Sequence, residues 1–361
     1  MAIEQIDIEN FLKLSEDRPV FDVRSPGEFL HAHIPGAFVL PLFTDEQRKI
    51  IGTAYKQVSR EVAVKKGIDF FSERMKNMLN EAEDIIKGQN NNISKDNRVL
   101  IHCWRGGMRS RSAAWLLDLY GFKVFTLKGG YKAFRNWALD QFEKEYKFKI
   151  LGGYTGSGKT EVLREMERNG KIVIDLEKLA NHKGSAFGSI GEKPQPGQEM
   201  FENLLAVELF KKSCLDNRQK SCNKEVVGST FLQVWIEDES RHIGTVGIPK
   251  ALWNTMRKSL LYFIDIPFEE RLNYTVSTYG SFDRKALVNS IMKIQKKLGG
   301  LETKNAINSL LDNNIKECFS ILLHYYDKLY TNSLFKRENV DALLNKISCK
   351  TVEIMNAEKL N

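Results

Sequence analysis

Residues 148–160 read FKILGGYTGSGKT: an apolar strand, Phe148–Gly152, runs straight into a glycine-rich turn and then a helix over Lys159–Arg168. The turn, Gly153–Thr160, is a full match to G-x-x-x-x-G-K-[ST], and it stands between a strand and a helix as that motif requires. Gly153, Thr155, Gly156, Ser157, Gly158, Lys159 and Thr160 form the expected phosphate-binding set. The three glycines allow backbone angles and close approaches that bring successive N–H groups onto phosphate oxygens. The helix N-terminus adds its partial positive charge. Lys159 is expected to reach the terminal phosphate and the Thr160 hydroxyl to ligate a magnesium ion. The motif specifies a di- or triphosphate and leaves the group attached to it open. A strand over Lys171–Leu176 completes a βαβ opening, and Asp175 at its end either helps hold the magnesium or caps the next helix.

Working outward, strands are expected at Leu232–Glu237 and Leu260–Ile266, and the chain beyond Arg284 reads as mostly helical, including Lys316–Tyr330. A second domain over 147–361, with a helical extension from about 280, follows from this. Upstream, residues 1–140 carry short apolar runs at Pro19–Val23, Arg98–His102 and Lys123–Leu127, separated by helical patterns. Ser110–Tyr120 reads as a helix closed by Gly121, and Tyr131–Tyr146 as a helix ending the domain. A long insertion holds a helical stretch, Glu61–Lys87, and a polar loop, Gly88–Asn97. The fold class is α/β throughout.

With 361 residues, 42% hydrophobic and 28% charged, the chain has an ordinary globular composition and room for two or three domains. The net charge is +8, of which residues 146–361 hold a surplus of six, a balance suited to a polyanionic partner. The first residues, MAIEQIDIENFLKL, are acidic with no unbroken apolar run, so the expected setting is cytoplasmic, without a membrane partner. Five widely spaced cysteines with no C-x-x-C pair indicate neither a disulfide framework nor a zinc site.

One of those cysteines has chemical surroundings. In His102-Cys103-Trp104-Arg105-Gly106-Gly107-Met108-Arg109-Ser110, Cys103 ends a strand and a loop with two glycines and two arginines leads into a helix. Such a loop curls its N–H groups around the sulfur. The helix N-terminus, Arg105 and Arg109 then stabilise a thiolate or persulfide, which makes Cys103, Arg105 and Arg109 the candidate catalytic residues.

This loop, with FDVRSPGEF (21–29), HIPGA (33–37) and LKGGY (127–131), resembles a rhodanese domain. The whole chain is similar to the tRNA 2-selenouridine synthase family, also described as tRNA 2-thiouridine geranyltransferases, through CWRGGMRS, DLEKLANHKGSAFG (175–188) and WIEDESRHIG (235–244), over about residues 3–330. The resemblance implies a rhodanese-like domain followed by a parallel P-loop domain with a helical C-terminal part. It implies a transferase acting on wobble 2-thiouridine of tRNA, first adding geranyl from geranyl diphosphate, then replacing the S-geranyl group with selenium from selenophosphate, delivered by a selenophosphate synthetase. On that reading the phosphate loop binds the diphosphate of geranyl diphosphate and Cys103 carries selenium as an S-selanyl group.

Other features weigh less. Glu237-Asp238-Glu239 puts three carboxylates at a strand end, where Glu237 and Asp238 either hold magnesium or belong to a charged turn. Lys293, Lys296 and Lys297 suit a solvated helix face better than a tRNA contact. The rival reading is a P-loop NTPase or kinase with a regulatory, sulfur-carrying rhodanese module.

Overall fold

The computed structural model describes residues 3–88, 97–222 and 233–360, the side chains of 214–222 excepted. The loop expected at Gly88–Asn97 falls largely on 89–96, outside the described residues. The chain divides into two compact units, Met1–Gln141 with Glu202–Val207, and Phe142–Phe201 with Glu208–Asn361.

The first unit runs β1 (Glu4–Ile6), α1 (Ile8–Leu14), β2 (Val20–Asp22), α2 (Pro26–His31), β3 (Phe38–Val39), α3 (Asp45–Gln57), α4 (Arg60–Gly88), β4 (Arg98–His102), α5 (Met108–Tyr120), β5 (Lys123–Leu127) and α6 (Gly130–Gln141). Its five strands are parallel in the order β1-β5-β4-β2-β3. The central strand β4 is a continuous apolar run because parallel strands are covered on both faces; Val99, Leu100 and Ile101 are all buried. Helix α4 supplies Met78 and Ala82 to the core shared with Leu116 and Leu117 of α5. Gly121 ends α5 at φ 111°, the left-handed cap its position predicts. Helix α6 stops at Gln141, short of the predicted Tyr146, whose ring instead stacks 5.5 Å from Phe148.

The second unit begins with β6 (Lys147–Gly153), α7 (Lys159–Arg168), β7 (Val173–Ile174), α8 (Leu176–Ala180), α9 (Gln198–Cys222) and β8 (Gln233–Glu237). A short antiparallel pair, β9 (His242–Ile243) and β10 (Val246–Gly247), precedes α10 (Lys250–Arg257) and β11 (Leu260–Asp265). Helices α11 (Phe268–Tyr279), α12 (Arg284–Leu298), α13 (Gly300–Leu311) and α14 (Ile315–Leu334) follow, then α15 (Val340–Leu343), β12 (Leu344–Ser348) and a 3-10 segment over Ile354–Leu360. The main sheet is parallel, ordered β12-β11-β6-β8-β7. The helical reading of about 280–361 needs correction at its end, where Leu344–Ser348 pairs with β11 along its whole length. Only Ile347 of this half-exposed edge strand joins the core beside Leu151 and Ile264, so the segment carries little apolar pattern.

Candidate active site

In the first unit the chain leaves the central strand β4 directly into the Cys103 loop. Cys103 is 3% exposed, and its Sγ lies 3.2 Å from the Ser110 hydroxyl. Burial by itself raises the thiol. Hydrogen bonding with Ser110 and from the Arg105 and Ser110 N–H groups, with the charge of Arg109, outweighs it and holds the thiol below its ordinary range. Arg109 also pairs with Glu28 at 2.7 Å, and Arg48 meets the same carboxylate at 2.9 Å. Burial raises the Glu28 carboxyl, but these two cations and the Ser25 N–H bring it below its usual value. Arg105 contributes its backbone N–H to the sulfur while its side chain is exposed.

Two features pin this loop. Gly130 sits at φ 61°, and a Cβ there would stand 2.3 Å from the Cys103 carbonyl, so LKGGY is glycine-rich because α6 begins against the loop. The Tyr131 N–H donates to the Cys103 carbonyl at 2.8 Å and the Lys132 N–H to the Trp104 carbonyl at 3.0 Å. Beneath lies a buried charge pair: Arg24 donates to both Asp22 oxygens, from Nε at 2.9 and 3.0 Å and from Nη2 at 2.6 Å, and lies 3.9 Å from the Tyr131 ring centre. His102 is fully buried beside it, 3.7 Å from Asp22, with neither ring nitrogen hydrogen-bonded. Burial dominates Asp22 there and pushes the imidazole down to about 4, so it is neutral at pH 7.

In the second unit the phosphate loop follows β6 in the same way. Gly153, Gly156 and Gly158 all have positive φ. Gly158, at 67°, is the residue before α7. Lys159 Nζ donates to the Gly153 carbonyl at 3.0 Å, and the Ser157 hydroxyl is buried with no partner. The Thr155 carbonyl accepts from Arg271 at 3.1 Å, and the buried Arg271 is held by both oxygens of Asp327. That brace came from α11 and α14, with no motif to announce it.

The carboxylates sort by strand alternation at the end of β8. Asp238 accepts from Tyr330 Oη at 2.7 Å and pairs with the buried Arg337 at 2.6 Å. Glu237 is fully buried; one oxygen accepts from the Glu177 N–H at 3.0 Å and the other has no partner. Thr160 donates to Glu177 at 3.1 Å. A Cβ on Gly184 would meet both Glu239 and Glu177, which places those two carboxylates together. Burial and mutual repulsion raise Glu177 to about 7 and Glu239 to about 8, and push Glu237 well above the carboxylate range. Asp175 caps α8, accepting from the Lys178 N–H at 2.7 Å, so the capping alternative describes its contact. The structure thus brings Glu177 and Glu239 to Thr160, residues outside the candidate set; their signal was the position of DLEKLANHKG and WIEDES after two neighbouring strands. Among the described residues, no group of three His, Cys, Asp or Glu side chains has metal-binding geometry.

The model of the "tRNA 2-selenouridine synthase AAA domain" matches residues 146–358, and that of the rhodanese-like domain matches 7–136. The chain belongs to the tRNA 2-selenouridine synthase family. It is accordingly an enzyme, of the transferase class. A family member named tRNA 2-selenouridine synthase in Bdellovibrio bacteriovorus is 33% identical over 93% of this chain and 94% of its own. The namesakes from Nitrosomonas europaea and a Sulfurovum species are 32% identical over 89% of this chain and 90% of theirs, and 31% over 93% of each. No helix among the described residues is long and apolar enough to cross a membrane.

Proposed function

We propose that this chain converts wobble 2-thiouridine of tRNA to 2-selenouridine in two steps, S-geranylation by geranyl diphosphate and selenation by selenophosphate, the latter supplied by a selenophosphate synthetase. The observation that supports this most is the pairing, in one chain of this family, of a depressed thiol at Cys103 with a phosphate loop whose Lys159 and Thr160 are both in place.

In the first step the thiocarbonyl sulfur attacks the geranyl carbon, the carbon–oxygen bond breaks, diphosphate leaves and the base loses its N3 proton. Gly153–Thr160 and Lys159 stabilise the departing diphosphate. Magnesium fits this loop. It takes one or two carboxylates with waters and substrate phosphates, and here Glu177 would offer one carboxylate and Thr160 a hydroxyl, without a three-residue cage. A cation there would offset the crowded charge of Glu177, Glu237 and Glu239.

In the second step selenium replaces the S-geranyl group at C2 of the base. The route without a protein thiol, direct attack by selenophosphate that expels geranyl thiol while water takes the phosphoryl group, changes no oxidation level and is the one that normal selenation by Cys103→Ser would favour. On the route through Cys103, selenium from selenophosphate joins its sulfur as an S-selanyl group, with water taking the phosphoryl group and a disulfide accepting two electrons; the selanyl selenium then displaces geranyl thiol at C2, and a second thiol cleaves the sulfur–selenium bond, returning the two electrons. Arg109, Ser110 and the loop N–H groups stabilise the Cys103 sulfur as nucleophile or leaving group.

The deciding experiment is nucleoside mass spectrometry on 2-thiouridine tRNA with geranyl diphosphate, with and without selenophosphate. Lys159→Ala should lose S-geranylation. Cys103→Ser should form S-geranyl-2-thiouridine and no 2-selenouridine; normal selenation by this variant removes the carrier role. The intact phosphate loop also serves nucleotide hydrolysis, and strong tRNA-stimulated ATPase activity without geranyl transfer would favour the NTPase reading.

A further inference from the structure

We propose that Trp104 is a base-stacking platform, on which an unpaired nucleobase of the RNA substrate lies beside Cys103. The inference rests on the reading of RNA as substrate and adds the residue that holds it. Trp104 directly follows Cys103, and its carbonyl is fixed by the Lys132 N–H. Its ring packs against Tyr131 at 5.6 Å, and Tyr131 is fully buried and backed by the Arg24 guanidinium. A tryptophan supported by a rigid aromatic floor would ordinarily be covered, yet Trp104 remains 38% exposed.

The charge around this aromatic surface selects the occupant. Arg105, Arg111 and Lys132 are exposed, and none pairs with a carboxylate among the described residues. Arg109, by contrast, is tied to Glu28. An exposed aromatic face with an unpaired cation next in the chain, Arg105, and another on the residue whose N–H holds its carbonyl, Lys132, matches single-stranded nucleic acid, in which bases stack and phosphates meet basic side chains. A protein partner would use a different surface of α5, where Trp115 and Leu119 continue the exposed apolar stripe begun by Met108.

The test uses the full chain and a synthetic stem-loop RNA with one 2-thiouridine in its loop. Affinity is measured by fluorescence anisotropy, turnover by nucleoside mass spectrometry, and Cys103 reactivity by its rate of alkylation with iodoacetamide. Trp104→Ala should weaken binding and raise KM roughly five- to 150-fold, the range for loss of one base–aromatic stack, with kcat less affected. Trp104→Phe should stay within about threefold of wild type and lose part of the tryptophan quenching that RNA causes. Cys103 alkylation should be unchanged in both variants.

Wild-type affinity in Trp104→Ala overturns the proposal, and so does a fall in Cys103 alkylation matching the loss of activity, which would make Trp104 a structural support of the loop. An equal loss in Trp115→Ala overturns it as well, by assigning the RNA to the α5 stripe. A wild-type chain that binds the stem-loop but forms no 2-selenouridine breaks the activity reading alone, because binding by the variants still decides the platform.

Discussion

The Cys103 loop and the phosphate loop occupy equivalent places, each leaving the central strand of a five-stranded parallel sheet and ending at the N-terminus of a helix. Their electrostatics are opposite. Beneath and beside Cys103 the charges behind the loop are matched, Arg24 with Asp22 and Arg109 and Arg48 with Glu28, with a histidine kept neutral by burial, while the exposed Arg105 is left free among the described residues. Around Thr160 three carboxylates crowd together, one with an oxygen that has no partner, and their acidity is weakened as a result. Topology therefore chooses where each loop lies, and side-chain charge decides which charged group that loop favours. The first favours an anionic sulfur; in the second Lys159 offsets part of the crowding, and on the proposed reading a cation with its phosphate ligand would offset the rest.

The largest expected effect comes from exchanging which loop is damaged. Gly130→Ala forces a Cβ into the Cys103 carbonyl at φ 61°, and Gly158→Ala puts one 2.6 Å from Val352 at φ 67°. The left-handed backbone costs roughly 1 to 2 kcal/mol in each case before any clash is counted, about five- to thirtyfold. Gly130→Ala should lower Cys103 alkylation at neutral pH and leave inorganic diphosphate binding, read by calorimetry, intact. Gly158→Ala should do the reverse. Loss of both properties in either variant would end the treatment of the two loops as separate sites.

The sequence displayed these loops clearly because each demand is local: three glycines, a lysine and a threonine within eight residues, or a cysteine with glycines and arginines at fixed spacing. What it concealed is what distant elements contribute. Arg271 and Asp327 meet over Thr155 from two helices 56 residues apart, and Arg337 reaches Asp238 from 99 residues away. Pairings of that kind leave no spacing pattern. Asp238 and Glu237 also look alike in sequence, and only the alternation of β8 sends one to an arginine and the other to the carboxylate cluster. Strand β12 was hidden for a related reason, since a half-exposed edge strand needs few apolar residues.

Next in size, Asp238→Asn should destabilise the second unit. It leaves the guanidinium of Arg337, whose side chain is 1% exposed, without its counter-charge. Removing one partner of a buried pair costs about 3 kcal/mol or more, and a midpoint lower by roughly 6 to 12 °C follows for a unit of this size. Thermal unfolding monitored by calorimetry reads this directly. An unchanged midpoint would show that the pair contributes little and that Asp238 is held for its chemistry.

The pH response should differ in sign between the units. His102 is depressed to about 4, so the unfolded chain takes its proton first as pH falls. Its contribution to stability is complete above about pH 6.5 and is lost on acidification through pH 4, about 3 kcal/mol in all. Glu177 and Glu239 are raised to about 7 and about 8, so the folded state holds protons that the unfolded state has released. Their effect runs the other way, and the second unit loses stability as pH rises from about 4.5 to about 8. Hydrogen exchange at residues 98–102 and 147–153, corrected for intrinsic rates, separates the two. His102→Asn should flatten only the first response, and magnesium with diphosphate only the second. A common pH dependence for both strands would contradict the contrast.

The smallest effect is expected at Glu237, next to the residue with one of the larger ones. Burial, and after it the neighbouring Glu177, raise its carboxyl well above the ordinary carboxylate range, which favours the neutral acid. Glutamine imitates that neutral acid in size and keeps an oxygen for the Glu177 N–H. Glu237→Gln should therefore change the unfolding free energy by less than about 1 kcal/mol at pH 7, within the range of substitutions that break no buried contact. The difference should show only on loading: if a cation relieves the crowding by letting Glu237 ionise, the variant gains less stability from magnesium and diphosphate than wild type does. Equal gains would confine the cation's influence to Thr160, Glu177 and Glu239, and a large loss at pH 7 without ligand would mean that Glu237 is already ionised in the empty site.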